Sequence, residues 1–401
     1  MKHPSIRRIV AATLASALAM CSGAQAQEID AKAQTIVDKG LAYLKANQQP
    51  DGGWQVNDKE PPAFTAIALR TFVQDKNFNS KTDFVARGFD KLLSYQATDG
   101  GIYKDLLANY NTAIAVSTLV KANDPAFKPQ IDKAVDYLKR LQWTEETKPE
   151  FVDPKEQNTG KQVVRGSEDP FYGGWGYGGR SRGPGRPDLS NAQLALEALH
   201  DAGLAKDDPV YQRAIQFVSR CQNYSETNDQ KWAGNDGGFA YGPSDDRNGE
   251  SFAGSYVDES GERRVRSMGT MTYAGLKSLI YAGVSRDDPR VRACWSWIGN
   301  NFTLSAHPGM GDDKTQWGLF YYYMTVGKAL HAYGETTIKT ADGKQIDWRR
   351  ALIEKAAEIQ KEDGSWVGIN KYMEDKPVLV TSYVILAIQD AQADLKVRPA
   401  K

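Results

Sequence analysis

The sequence predicts an all-α chain folded as an (α/α)6 toroid, six inner helices surrounded by six outer ones. Three observations lead there. One pattern is written six times: a small or apolar residue stands eight positions before a Gln or Asn at Gly40/Gln48, Gly88/Gln96, Ala134/Gln142, Ala214/Gln222, Ala293/Asn301 and Leu352/Gln360. Fixed-period self-similarity outranks any local motif as a guide to architecture. Two kinds of helix alternate along the chain. Segments such as 135–141 have one apolar face, whereas segments such as 112–116 and 192–196 are apolar nearly all round; the first kind is wetted on one side and the second is buried. Finally, the first and last repeats are as apolar as the middle ones. An open solenoid would need polar end caps, so the array closes on itself.

Taken in order, the chain opens on Arg7-Arg8, an apolar run over 9–20 and Ala24-Gln25-Ala26. That is the layout of a secretory signal cleaved after Ala26, with one domain expected over 27–393 and a tail over 394–401. Export is therefore expected, to the periplasm or the exterior. No other apolar run is read as long enough to cross a bilayer. Fifty basic residues balance fifty acidic ones, which leaves no footprint for a nucleic acid or a polybasic anchor.

Each glutamine is followed by a turn and then an inner helix. The turns are Asp51-Gly52-Gly53-Trp54, Asp99-Gly100-Gly101, Gly173-Gly174-Trp175, Asp236-Gly237-Gly238-Phe239, Pro308-Gly309 and Asp363-Gly364-Ser365-Trp366. Asp-Gly pairs tolerate positive φ and let the chain reverse. The inner helices are expected over 65–73, 112–121, 190–202, 270–282, 316–333 and 381–391. Several of them open on Thr or Ser, read as N-caps, and Gly203, Gly283 and Gly334 terminate three of them. Asp207-Asp208 and Asp287-Asp288 precede Pro209 and Pro289, where acids complement a helix dipole. His200 and His331 are read as C-terminal caps. Cys221 and Cys294 are offset by six residues between adjacent repeats, roughly 9 Å of rise. A disulfide tolerates Cα atoms no more than about 7 Å apart, so both thiols are expected to be free and buried.

Two insertions interrupt the repeat. The first, 145–187, carries a Gly- and aromatic-rich run with Trp175 and Tyr177, then Arg180, Arg182 and Arg186. Glycines admit close backbone approach, aromatics supply apolar walls, and arginines grip carboxylate or phosphate. The same run reads equally well as a loop packed on the end of the ring. The second, 242–269, alternates around Ser260-Gly261 and suggests a short β-hairpin over one mouth. In repeat five, Trp317 and Tyr321-Tyr322-Tyr323 fan across about 200° of helix, so at least one tyrosine should face the axis. With Tyr273 and Tyr383 on other inner helices, they form the expected wall of a central cavity; a filled core is the commoner meaning of such aromatics. His307, five residues before Asp312-Asp313, is the one loop histidine placed for acid–base work, although a plain loop role is commoner.

The helix, Gln and Gly-x-Trp or Gly-Gly-Phe pattern resembles the QW repeat of the squalene and terpenoid cyclases and the related repeat of protein prenyltransferase β-subunits. The match runs from about Ala31 to Ala391 and is complete in repeat one, through Lys39-Gly40, Tyr43-Leu44, Gln48, Gly52 and Trp54. The resemblance implies the ring fold, with Gln and aromatic as ties between outer helices. It implies the family's chemistry only where the residues are present. The cyclase acid, Asp-x-Asp-Asp, is absent. The prenyltransferase zinc pair would fall within 267–272, where neither Asp nor Cys occurs. Neither a metal nor a cofactor is therefore expected. The leading reading is an exported ring that binds an apolar, isoprenoid-like ligand in an aromatic cavity. The alternatives are a protein- or glycan-binding module built on the insertions, and a terpenoid-cyclizing, transferring or polysaccharide-active enzyme of unfamiliar constellation, for which His307, Asp312 and Asp313 are the catalytic candidates.

Overall fold

The computed structural model describes residues 27–147, 166–179, 185–243 and 249–398; the expected leader over 1–26, Arg180 and Arg182 lie outside them. Among the described residues there are twelve α-helices. The outer ones are α1 (27–46), α3 (Asp83–Leu93), α5 (Lys128–Leu141), α7 (Pro209–Arg220), α9 (Pro289–Asn301) and α11 (Trp348–Ile359). The inner ones are α2 (Ala63–Gln74), α4 (Ala108–Ala122), α6 (Leu189–Asp201), α8 (Gly269–Tyr281), α10 (Leu319–Tyr333) and α12 (Pro377–Val397).

The inner helices pack in one closed cycle: α2 on α4, α4 on α6, α6 on α8, α8 on α10, α10 on α12, and α12 back on α2. Their apolar circumference explains this. In α2, every residue from Ala63 to Phe72 is buried, Arg70 and two threonines included. The outer helices bury one stripe only, as in α5, where Ala134, Tyr137 and Leu138 face inward. The last helix extends past the expected 381–391 at both ends and takes in residues 394–397 of the expected tail, with Asp394 fully buried. By length and composition α12 could cross a membrane, but it is a core helix, with 83% of its apolar window buried.

The glutamines do what the repeat pattern requires. Gln48 Nε2 donates to Gly52 O in its own turn and to Phe84 O at the start of the next outer helix, at 2.8 and 2.7 Å. Gln96, Gln142 and Gln222 make the same pair of bonds to Gly100 and Gln130, Gly173 and Val210, and Gly237 and Arg290. Gln360 closes the circuit through Gly364 O and Ile36 O of α1, both at 2.9 Å. The aromatic of the turn then points back, with the Nε1 of Trp54, Trp175 and Trp366 donating to Leu44 O, Leu138 O and Ala356 O.

Repeat five departs. Asn301 is one methylene shorter than Gln, and its Nδ2 reaches only Trp297 O within its own helix. The joint to α11 is made instead by a hairpin the sequence reading did not anticipate, β3 (Thr337–Lys339) with β4 (Gln345–Asp347). Its Lys339 O sits where a Cβ on Gly299 would lie, at 2.6 Å. The anticipated hairpin in the second insertion is present as β1 (Ser255–Val257) and β2 (Arg263–Val265).

Two smaller expectations are corrected. The threonines near inner-helix starts are not N-caps. Thr65, Thr112, Thr272 and Thr381 lie inside their helices and accept through Oγ1 from the turn N–H of Trp54, Ile102, Phe239 and Trp366. Neither histidine caps carbonyls through its ring: His200 stacks on Tyr281 at 4.1 Å, and His331 Nδ1 lies 3.3 Å from Asp394. Asp208 and Asp288 do cap α7 and α9, Gly203, Gly283 and Gly334 have positive φ, and Cys221 and Cys294 are free and buried.

Candidate functional site

All inner helices run in one sense, so their N-terminal ends form one mouth of the ring. A cleft of about 280 Å³ opens there. Its walls come from the first turns of α4, α6, α8 and α10, through Tyr110, Ser190, Met271 and Tyr321, and from Tyr383 on α12. The rim is completed by Tyr177 of the first insertion, Tyr241 just before the second and Phe252 within it, and Tyr372 and Met373 of the loop before α12.

Five of the six tyrosines in the lining have their hydroxyls engaged within the protein. The hydroxyls of Tyr110 and Tyr383 lie 2.9 Å apart, and those of Tyr177 and Tyr241 3.2 Å. Tyr321 is held through its hydroxyl by Ser190 Oγ at 3.1 Å and by Gln193 Nε2 at 2.8 Å. α4 and α12 are not neighbours in the cycle, nor are α6 and α10, so two of these links span the lumen and floor the cleft. Their polarity is consumed internally, and what faces the opening is ring surface.

Backbone strain gathers at the same place. Among the described residues four non-glycines have positive φ, and three of them line the cleft: Leu107, Tyr372 and Met373, at 57°, 54° and 62°. The fourth, Asn123, ends a helix. Left-handed conformations in bulky residues cost about 1–3 kcal/mol each and concentrate at functional sites. Tyr372 and Met373 are also more than a third exposed.

Beside the cleft, and sharing Leu107, Tyr177, Tyr241 and Phe252 with it, lies a more polar vestibule of about 580 Å³. Its charged lining is Arg186, Asp188 and Glu250, with Arg186 ion-paired to Glu250. Asp188 is the N-cap of α6 and accepts from the backbone N–H and side-chain amide of Asn191. Burial pushes its carboxyl up to about 7, against the pull of those bonds. Glu374, next to the strained pair, caps α10 by accepting from Phe320 N and Tyr321 N at 2.9 and 2.8 Å. Its second oxygen is buried without a partner, and burial raises this carboxyl to about 7 as well.

Beyond the tyrosine floor the lumen is filled by charge. Glu197 of α6 accepts from Arg70 of α2 and Lys328 of α10, each at 2.8 Å, and from Lys277 of α8. Asp201 lies 3.6 Å from Arg70, and Asp390 of α12 lies 3.9 Å from Lys328. Burial opposes ionisation of Glu197, but the three cations hold its carboxyl well below the usual range. This cluster went unread in the sequence, although it draws charged residues from five inner helices.

The expected site residues separate into three groups. Tyr177, Tyr321 and Tyr383 line the cleft. Trp175, Tyr273 and Tyr322 do not: they are fully buried, Trp175 bonded to Leu138 O and Tyr322 to Thr303 O. Trp317 packs edge-on against Tyr372 outside the cleft lining. His307 is 3% exposed; its Nε2 accepts from Thr270 N at 3.0 Å and its Nδ1 faces Trp317 O at 2.7 Å. Burial lowers this imidazole to about 4, so it is neutral, with the proton on Nδ1. Asp312 and Asp313 sit on an exposed 3-10 turn. Tyr110, Tyr241, Phe252 and Tyr372 escaped the sequence reading because three lie in loops whose path no periodicity sets.

The raised carboxyl of Glu374 makes a stability prediction. Its folded value of about 7 exceeds its ordinary 4.5. Below about pH 4.5 both states are protonated; as pH climbs the unfolded chain ionises first, and stability falls until the folded value is passed. The gap corresponds to about 3 kcal/mol. Glu374→Gln keeps an acceptor for the α10 N–H groups and removes the buried charge. It should stabilise the protein by roughly 2–3 kcal/mol at pH 8 and by little at pH 4.5. Urea unfolding at the two pH values measures this, and equal effects at both would refute it.

No family model matches the chain, and no curated protein does either. Among solved structures, a D-mannose isomerase is similar at a TM-score of 0.55 and 12% identity, over 91% of this chain and 98% of that one. A protein from Actinoplanes gives 0.48 at 15% identity, over 90% and 99%. A type II terpene cyclase from Scytonema, in complex with geranylgeranyl dihydroxybenzoate, gives 0.37 at 12%, over 92% and 99%. At these identities the likeness concerns the fold alone, and of the three only the first score bears on it. What fold and site define is a mostly helical protein with an aromatic cleft at the mouth of a closed helix cycle.

Proposed function

We propose that the chain is an exported (α/α)6 toroid of the squalene-cyclase and prenyltransferase repeat type, and that its mouth binds an apolar, isoprenoid-like small molecule. The repeat supports the family, through five glutamine ties and the closed helix cycle. Export rests on the leader over 1–26. The observation that carries the ligand is the cleft itself, whose tyrosine hydroxyls, Tyr372 apart, are engaged within the protein while strained, exposed residues form its rim. A volume near 280 Å³ is at the small end of ligand pockets, about 300–1,000 Å³, and suits a short chain or one end of a longer one. In this reading His307 positions α8 and α10 through its two backbone partners, and Asp312 and Asp313 stay in solvent.

Nile red, a neutral apolar dye, should bind saturably at one site. Tyr372→Ala and Phe252→Ala remove rim side chains that are already partly exposed, so folding should be spared. Each should weaken the dye by about tenfold, as loss of an aromatic anchor does. Non-saturable binding, or binding indifferent to both changes, would overturn the reading. Binding of an exported protein or glycan is the second reading, favoured by the β1–β2 hairpin, which holds Tyr256 and Val257 in solvent.

A further inference from the structure

Residues 367–376, which join the last turn to α12, wear their polarity inside out. Within this segment only Glu374 is buried, at 1% exposure, while Ile369, Tyr372 and Met373 are each more than a third exposed. A loop ordinarily sinks an apolar residue into the core and leaves its acids in water. Here the acid is the plug and the apolar residues are outside.

The hydrogen bonds tell the same story. Gly368 N donates to Glu374 O, Lys371 N to Ile369 O, Glu374 N to Lys371 O and Lys376 N to Met373 O, all within the segment, and Lys376 O accepts from Val380 N where α12 begins. Among the described residues one hydrogen-bonded link crosses to another element: the Glu374 carboxylate, which takes the N–H groups of Phe320 and Tyr321 at the start of α10. Around it lie ring contacts near the surface. Tyr372 meets Phe252 and Trp317 with centroids 5.8 and 6.4 Å apart, and Lys371 lies over Trp317 at 4.0 Å.

Tyr372 and Met373 face the cleft on one side and solvent on the other, so a single layer of chain closes the cleft here. Their left-handed backbone immediately precedes Glu374. That strain works against the closed position, and so does burial of the carboxyl, whose second oxygen has no partner. The bonds to a charged acceptor work for it. Opposing effects of one order leave closed and open positions close in free energy, the condition for a segment that moves.

We infer that residues 367–376 are a movable strap over the cleft, latched on α10 by Glu374: release of the carboxylate lets Tyr372 and Met373 swing out and a ligand pass, and its return closes the wall behind. The latch is the same with the cleft empty or filled, so it governs rates of entry and exit more than affinity. This inference rests on the cleft reading above.

Two measurements on the full chain test it. In hydrogen exchange of the unliganded protein, the amides of Lys371, Glu374, Phe320 and Tyr321 should exchange together through one opening, ahead of the interior of α10. Phe320 and Tyr321 exchanging with the α10 interior instead, while the loop exchanges alone, would show that the latch does not release and would overturn the inference. In stopped-flow binding of Nile red, Glu374→Ala should raise association and dissociation rates alike by about tenfold and leave Kd within about threefold. Faster dissociation with unchanged association would make the segment a fixed wall, and two unchanged rates would mean entry elsewhere; either sinks the strap and leaves the cleft reading standing. If Glu374→Ala does not fold, the exchange pattern of the unaltered protein decides alone. Failure of the dye to bind the unaltered protein is seen before any rate is compared, and it removes the cleft reading and this inference together.

Discussion

Glu197→Gln should cost about 3–5 kcal/mol of folding stability, the usual price of removing one partner from a buried ion group. The reason lies in the geometry of the lumen. One carboxylate faces Arg70, Lys277 and Lys328 from three different inner helices, and both it and Lys277 are almost wholly excluded from solvent. An amide of the same shape leaves three cations in a low-dielectric space with only Asp201 and Asp390 nearby. Replacing Glu197, Lys277 and Lys328 together by Leu, Met and Met removes two cations with the carboxylate, and should recover much of the loss, because the burial penalty goes with the charges. Urea midpoints of the single and triple variants decide it. A single substitution costing less than about 1 kcal/mol would mean that water reaches the cluster and that the ring is not plugged there.

Gly364→Val should be the next most damaging change, at about 3 kcal/mol, because two penalties coincide. Gly364 has φ of +86°, and a Cβ there would stand 2.5 Å from Lys39 O, a backbone atom of α1. That contact is the seam where the last repeat meets the first. Gly343→Val is the control: its φ is +83°, yet nothing lies within 4 Å of its Cβ. The control should show the backbone penalty alone, about 1–2 kcal/mol. The difference between the two measures the close approach, and hydrogen exchange should locate it in α1. Equal costs would show that the seam yields freely.

Much of the architecture was readable because it is periodic. Gln48, Gln96, Gln142, Gln222 and Gln360 repeat at one offset from a small residue, and each makes the same pair of bonds. The change to Asn301 was visible too, but the hairpin that replaces its tie was not, since nothing local links 337–347 to α9. The cleft was legible only where it is built from helices. Tyr321 and Tyr383 could be placed by helical register, whereas Tyr241, Phe252 and Tyr372 depend on loop paths. The left-handed backbone at Leu107, Tyr372 and Met373 has no counterpart in composition. The buried ion group was the avoidable omission. Arg70, Glu197, Lys277, Lys328 and Asp390 each stand in the largely buried stretch of an inner helix, and charges in such company need one another.

The bond from Gln360 to Ile36 spans 324 residues. Contacts this distant in the chain form late, because the entropy of looping must be met first. During synthesis the protein is thus an open arc, lacking the strap of Tyr372 and Met373 and the floor tyrosine Tyr383 until its last pair of helices emerges. Completion of the circle and assembly of the cleft are therefore one event.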